Sequence, residues 1–442
     1  MTWTRNQKTI LRNASLWATY DGLTSTFIVA FALALGASNI WIGIFGALPF
    51  VAMLLSQIPG AYSVEFVSRK VIYVVSTGCS RLFWILILVV PYWFMDKPLM
   101  YLALFYFVCK LLETFADPSW TTLLADIVPL KIRGIFVGHR NVLISISGAV
   151  AYIIGGFVLD WFPKTSFAGF GLLFFVGAFI GLAASLSMRR LIEPKVHQHQ
   201  HVVLKEFFSL KGDFARFCRF AFVFHFGWMI VSPFFAVYML KNLGISYTMF
   251  VLMMGISSFS KIIAHRHLGR LADRFGDKVI MVFVCVATAL VPLAFYAMTP
   301  QRLWLLIPVH VFSGIAWAGF DIAMFNMMLD FSIAKRHVQV AEFQMVAALA
   351  IIVSPILGGW IADSVSWLIT GIPLLFVIGA VIRLASLFFL WKLPESRVLR
   401  KFSSIDLFRE AITFHPIEGT IHITRNVIRR VRSLDVFGTT RK

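Results

Sequence analysis

The chain alternates between long apolar runs and short polar interruptions. Twelve runs reach the roughly 20 residues that a helix needs to cross the hydrocarbon of a bilayer. They lie at 15–36, 39–60, 71–94, 99–125, 138–159, 166–187, 215–240, 246–264, 279–298, 303–328, 338–362 and 366–392. Short interruptions such as "GAS" (36–38) and "DKP" (96–98) alternate with longer, charged ones. That rhythm predicts helical hairpins standing side by side. The expected fold is an all-α membrane protein of twelve transmembrane helices, not the two or three soluble domains that 442 residues would otherwise suggest.

The polar interruptions are not equivalent. The N-terminus, the even-numbered links and the tail, with the span ends that adjoin them, carry 33 of the 40 Lys and Arg residues. The opposite links carry only Lys97, Lys164, Lys241 and Arg302, and Arg81, Lys110 and Arg383 fall deep inside spans. Positive charge collects on the cytoplasmic side of membrane proteins. The asymmetry therefore puts both termini in the cytoplasm of a cell whose plasma membrane the chain crosses, and it supports an even number of spans. The first 14 residues are basic, but the run that follows is too long for a signal-peptide core and reads as a retained anchor.

Composition agrees with the pattern. Mean hydropathy is +0.82, and the 14% charged content is about half the usual supply for a soluble surface. The net charge of +19 is accounted for by sidedness. No nucleic-acid-binding motif accompanies it, so nucleic acid is not an expected partner. Cys79, Cys109, Cys218 and Cys285 all lie in apolar runs, no two closer than 30 residues. That spacing argues against a metal site or a disulfide framework and for buried small hydrophobes.

The chain also repeats itself. "ALGAS" (34–38) returns as "NLGIS" (242–246), "GGFVLD" (155–160) as "GGWIAD" (358–363), and "RLIEP" (190–194) as "WKLPE" (391–395). The offsets stay near 201–208, in the same order. The expected organisation is an N-terminal six-helix bundle (1–190), a cytoplasmic link (191–214), a C-terminal six-helix bundle (215–395) and a basic cytoplasmic tail (396–442). Parallel repeats of this kind build one large class of transporters.

The most charged stretch inside the apolar pattern is "GRLADRFGDK" (269–278). With the repeat, it makes the chain resemble the major facilitator superfamily over about 1–395. That family carries G-x-L-A-D-R-x-G-R-K between its second and third spans, often echoed between the eighth and ninth. Here the echo is the better copy: Gly269, Leu271, Ala272, Asp273, Arg274, Gly276 and Lys278 match, and Asp277 departs. The first copy, "GAYSVEFVSRK" (60–70), keeps Gly60, Arg69 and Lys70, with Val64 in place of the acid. "ADIVPLKIRG" (125–134) after the fourth span supplies the similar Asp126, Pro129, Arg133 and Gly134. Physically, Gly269 would permit close helix approach and Gly276 a tight turn. Asp273 could cap a helix N-terminus. The resemblance implies that Asp273 latches the halves together in the outward-open state by facing the start of the fifth span, around Gly138 to Arg140. A mere topology signal is the plainer alternative. The worn first copy implies a weak or replaced counterpart latch at the eleventh span.

Ionisable residues in the hydrocarbon are costly and point to function. Lys110, Glu113 and Asp117 share one face of the fourth span, and Pro118 loosens the helix beside Asp117. Asp21 lies in the first span, His225 in the seventh, and His310 and Asp321 in the tenth. The resemblance implies that these four spans line a central cavity, which makes all seven residues candidates for solute contact or proton relay. Glu113 and Asp117 are the first choices as proton carriers. The alternative for each is structural self-pairing, and for the histidines a hydrogen-bonded core. Arg81 and Arg383 lie on spans expected farther out, where structural pairing is the expected role.

The fifth span offers "SGAVAYIIGG" (147–156), a partial match to the glycine-rich, proline-containing motif of proton-coupled exporters in the family. The proline of that pattern occurs instead in "SPILGG" (354–359) of the eleventh span. Efflux is thereby slightly favoured over import, without an assignment. The link holds His197, His199 and His201, a metal-capable spacing but more simply a polar linker. The tail pairs an amphipathic stretch (403–414) with "RNVIRRVRS" (425–433), suited to an anionic lipid surface. The reading is a monomeric secondary transporter, with a small organic solute and protons as partners and no cofactor. The alternatives are a non-transporting sensor on the same scaffold and a multi-pass membrane enzyme. The enzyme is disfavoured because the external links hold only Asp96, Asp160 and Asp363 as acids, with no paired carboxylates.

Overall fold

A computed structural model describes residues 3–194, 211–332, 336–365 and 371–394. The described residues form helices and short connections, and twelve helices are long and apolar enough to span a membrane. Helices are the expected solution, because lipid offers no partner for backbone N–H and C=O groups. Spans 1 to 6 are Arg5–Ala34, Asn39–Ser63, Arg69–Trp93, Pro98–Ile127, Ile135–Trp161 and Ala168–Arg190. Spans 7 to 12 are Gly212–Asn242, Tyr247–Phe275, Asp277–Tyr296, Pro300–Phe331, Val338–Ser364 and Ile372–Trp391. The chain is an integral membrane protein of the expected fold class, two pseudo-symmetric bundles of six.

Several boundaries differ from the hydropathy pattern. The first helix begins at Arg5, where Thr4 and Gln7 form a capping box, so the basic leader belongs to the helix. The eighth helix runs to Phe275, so most of the charged motif is helical rather than a link. Its solvent-facing turns tolerate charge because they stand beyond the apolar part of the span. Gly276 alone makes the turn, with φ of 94° and ψ of 153°, a backbone region essentially reserved for glycine. Span 9 starts at the next residue. The segment 197–201 and the tail from 396 onward, with its proposed lipid-binding face, lie outside the described residues.

Spans 1, 4 and 7 are discontinuous. Span 1 breaks at Thr24 into a short 3-10 turn over Ser25–Phe27, and span 4 breaks between Phe115 and Asp117. Span 7 breaks between Met229 and Ser232. Pro118 and Pro233 follow two of these breaks, where a missing N–H is least costly.

The apolar core is divided by depth. At the end away from the termini, one continuous cluster draws on both halves, including Phe31, Trp84 and Phe174 from the first and Phe234, Val251 and Phe376 from the second. At the end that carries the termini, the core separates. One cluster, around Ile10, Tyr73, Leu123 and Phe136, belongs to the first half. Another, around Phe217, Phe275, Met281 and Phe331, belongs to the second. The halves are joined at one end and parted at the other. Cys109, Cys218 and Cys285 are buried as expected, whereas Cys79 is exposed on the outer surface of span 3.

Candidate functional site

The first half gathers its intramembrane charges into one buried cluster. Glu113 accepts hydrogen bonds from Lys110 Nζ at 2.9 Å, Arg81 Nη1 at 3.0 Å and Trp17 Nε1 at 3.1 Å. Lys110 also donates to Ser25 Oγ at 3.0 Å, in the break of span 1, and stands 3.9 Å from Asp21. Arg81 donates to Ser80 Oγ and lies 3.9 Å from the centre of the Tyr20 ring, whose hydroxyl accepts from Trp84. Sequence placed Arg81 apart from the site; here it is half of the site's strongest neutralisation. Three donors converge on Glu113, so its charge is fully compensated.

Asp117 is different. It is exposed at the break of span 4, and its carboxylate has no hydrogen-bonding or ion-pairing partner among the described residues. Two positive donors and a carboxylate thus build a closed network one turn away from a free carboxylate. Asp21, half-exposed, sits at the edge of that network.

The second half is assembled otherwise. His225 and His310 are buried and point Nδ1 at the carbonyl oxygens of Ala221 and Leu306, four residues back on their own helices, at 2.7 and 2.8 Å. His225 is enclosed by the rings of Phe224, Trp228, Phe320 and Phe343, and His310 packs on Phe295. Both fit the core-histidine alternative. Arg383 is buried with no carboxylate paired to it among the described residues, and instead donates to the carbonyls of Gly227 (3.1 Å), Trp228 (3.4 Å) and Thr288. It ties span 12 to spans 7 and 9. Asp321 meets two residues at the charged end of span 8 to which the sequence assigns no role: Lys261 Nζ at 2.7 Å and His265 Nε2 at 3.3 Å. The eighth helix carries both to Asp321, and only its continuation past the apolar run could have signalled His265.

On the termini side, the motif residues work within their halves. Arg69, fully buried, pairs with Asp126 at 2.5 Å and with Glu193 at 3.2 Å, and donates to the carbonyl of Pro194. Glu193 also accepts from Ser68 Oγ and from the Arg69 backbone N–H. Burial alone would raise the Glu193 carboxyl, but these donors outweigh it and hold it below the usual range. Arg133 donates to the carbonyls of Ala125 and Val128, closing the end of span 4. Lys278 donates to the carbonyls of Trp391 and Leu393 as Lys70 does to Leu191, one contact in two copies. Asp277, the departure from the family pattern, accepts from Asn326.

Two expectations for the motif are not met in this conformation. Asp273 is exposed, and a Cβ added at Gly138, near the start of the fifth span, would meet nothing within 4 Å. Gly269 is not a close-approach point either, its nearest neighbour being Ile322 at 3.9 Å. The close approach belongs to the worn copy, where Gly60 abuts the backbone of Phe115. The physical reason for the first is the parted core at this end.

The joined end has contacts that sequence reading treated only as repeats. Asp160, ending span 5, accepts from the backbone N–H groups of Tyr247 (2.9 Å) and Thr248 (2.7 Å) at the start of span 8. Asp363, near the end of span 11, accepts from Ile40 N and Asn39 Nδ2, each at 2.8 Å, at the start of span 2. Each carboxylate caps a helix of the opposite half. One turn before each acid a glycine makes the crossing possible. Gly156 lies against the backbone of Tyr247 and Thr248, and Gly359 against that of Asn39 and Ile40. Their partners Gly155 and Gly358 pack within their own halves, on Phe27 and Ile230. "GG…D" is thus a two-copy clamp between halves.

A family model described as Major Facilitator Superfamily matches residues 14–214 and 218–433. No curated protein sequence matches the chain. Among solved structures, it is similar to the nucleoside transporter NupG in its D323A mutant, with TM-score 0.71 and 16% identity over 88% of this chain and 100% of that one. It is similar to the D-xylose-proton symporter, with TM-score 0.69 and 15% identity over 88% and 98%. It is also similar to a bacterial homologue of the iron transporter ferroportin. The TM-score is 0.71 for the inward-facing state of that protein (14% identity, 89% and 99% covered) and 0.59 for its outward-facing state (14%, 88% and 99%).

Proposed function

The chain belongs to the Major Facilitator Superfamily, a transporter rather than an enzyme, and we propose that it carries a small organic solute by alternating access, coupled to protons. In this reading the basic, termini-bearing side is cytoplasmic, and the structure is the state open to the cytoplasm. The observation that carries it is the divided core: one shared cluster at the far end and two separate clusters at the termini end. The far-end clamps of Asp160 and Asp363 support the same reading.

The reciprocal latch follows from symmetry. Span 5 and span 8 run antiparallel, and the acid ending span 5 caps the start of span 8. When the termini end closes, Asp273 at the end of span 8 would cap the start of span 5 in the same way. The second pair lacks this reciprocity, because Val64 stands where the end of span 2 would need an acid. Two clamps hold the present state and one holds the other, which favours the open-to-cytoplasm state at rest.

Within the cavity, Asp117 is the proton carrier and Asp21 a solute contact. Glu113, first proposed as a carrier, is assigned instead to organising Arg81 and Lys110. A carboxylate with three donors has little reason to take a proton; an unpartnered one at a helix break is free to. Reconstitution into proteoliposomes with a solute screen tests the whole reading. Flux that depends on an imposed pH gradient, and loses that dependence in Asp117→Asn, supports it and also reports direction. Binding without flux would favour the sensor alternative.

A further inference from the structure

We propose that His265 and Asp321 form a proton-binding pair in the second half, held in register by Lys261. The argument starts from acceptors. His265 Nδ1 lies 2.7 Å from the carbonyl oxygen of Lys261, and its Nε2 lies 3.3 Å from Asp321 Oδ2. A carbonyl oxygen only accepts, and so does an ionised carboxylate. A neutral imidazole has one N–H and can satisfy one of these contacts, leaving a ring lone pair against an oxygen lone pair at the other. Both contacts are satisfied when one further proton sits between Nε2 and Oδ2. The ring then carries both protons, or the carboxylate carries one. The geometry calls for the proton without deciding which atom owns it.

The arrangement is fixed by the backbone. Two turns from Asp321, span 10 crosses span 8 at Gly314, whose missing side chain leaves room for Ser257, Ser260 and the Lys261 backbone N–H. Lys261 Nζ reaches the same Asp321 oxygen at 2.7 Å. All three side chains are a little over one-third exposed, so the pair faces open space from which a proton can arrive. Few other charges bear on it. Span 5 has no charged residue between Arg140 and Asp160, and span 9 has none beyond Lys278. Arg140 packs on Trp120 in the other half. Span 7 presents His225, buried behind Phe320, and span 11 presents Glu342, buried near its start. Arg266, His267 and Arg270 follow on span 8 itself, the two arginines exposed and His267 half-buried. Among the described residues, Lys261 is the only further charged group within 4 Å of Asp321.

Because span 8 is also the helix that Asp160 clamps at the far end, loss of this proton would loosen the same helix against span 10. That link to transport rests on the function proposed above; the site itself does not. The test is spectroscopic and needs no solute. The full chain in lipid nanodiscs, labelled with ¹⁵N-histidine, is compared with His265→Gln to assign the His265 ring, and Asp321 is followed by infrared. At neutral pH the expected result is one extra proton per chain on the pair. It shows as a doubly protonated ring, or as a carboxylic acid band that disappears in Asp321→Asn. A neutral His265 ring beside an ionised Asp321 in the wild-type chain overturns the proposal, whatever the variants do. A positive spectrum with no pH-dependent flux would leave the site standing and remove its role in coupling.

Discussion

Removing the far-end clamps should move the conformational equilibrium by an amount the structure allows one to work out. Asp160→Ala deletes two hydrogen bonds of 2.9 and 2.7 Å to the first N–H groups of span 8, and Asp363→Ala deletes those to Asn39 and Ile40. An acidic helix cap is worth about 0.5–2 kcal/mol, and the helix dipole adds about 0.3–1 kcal/mol at exposed positions. Both acids are exposed, so about 1–2 kcal/mol each is the appropriate scale. At 1.4 kcal/mol per factor of ten, each variant shifts the equilibrium roughly five- to thirty-fold. The clamps sit on different helix pairs and should add, giving about thirty- to several-hundred-fold for the double variant. The assay is pulsed electron resonance distance measurement in nanodiscs. One spin-label pair replaces Lys164 and Lys241 at the far end, and another replaces Arg12 and Arg270 at the termini end. In the double variant the far pair should lengthen and the termini pair shorten together. Unchanged distributions in a folded double variant would refute the reasoning, since they would make the caps incidental.

The two carboxylates of span 4 should part company: Glu113→Gln unpairs buried Arg81 and Lys110 and should destabilise the chain by about 3–5 kcal/mol, read as a lower thermal midpoint, while Asp117→Asn should fold normally and lose only pH-dependent flux. Glu193 gives a pH signature. Its carboxyl is held below the usual range in the folded chain, so its contribution is fully present above the ordinary glutamate range and fades as pH falls through the lowered value. The thermal advantage of wild type over Glu193→Gln, followed from about pH 6 to about pH 3, should shrink toward the acid end; an advantage that grows there contradicts the sign. Gly276→Ala, placed at φ 94°, should cost about 1–3 kcal/mol in chemical unfolding, whereas Gly138→Ala, in open space, should cost little in this conformation.

Much of the scaffold was legible in the sequence, because bilayer thickness and charge asymmetry act on runs of residues. Twelve spans and the even count follow from such runs, and the two-fold repeat from short motifs that recur at a near-constant offset. What could not be read were relations between distant helix ends. "GGFVLD" and "GGWIAD" were visible as a repeat, but their acids cap backbones 87 and 323 residues away along the chain, and a backbone N–H leaves no trace in sequence. Lys261 and His265 were hidden by the opposite error. Charge at or just beyond the end of an apolar run looks like part of a link, yet the helix continues to Phe275 and turns both toward Asp321. Arg81 looked peripheral because hydropathy says nothing about which way a helix face turns. The same blindness made Glu113 and Asp117 look alike, although the structure gives one three donors and the other none among the described residues.

The most direct test of alternating access is side-selective labelling of a single cysteine at position 117, in a chain freed of its four native cysteines and reconstituted with known orientation. A membrane-impermeant thiol reagent should reach it from the termini side. With Asp160→Ala and Asp363→Ala added, reaction from the opposite side should rise as reaction from the termini side falls. Access from the same side in both backgrounds, or from both sides at once, would contradict the account.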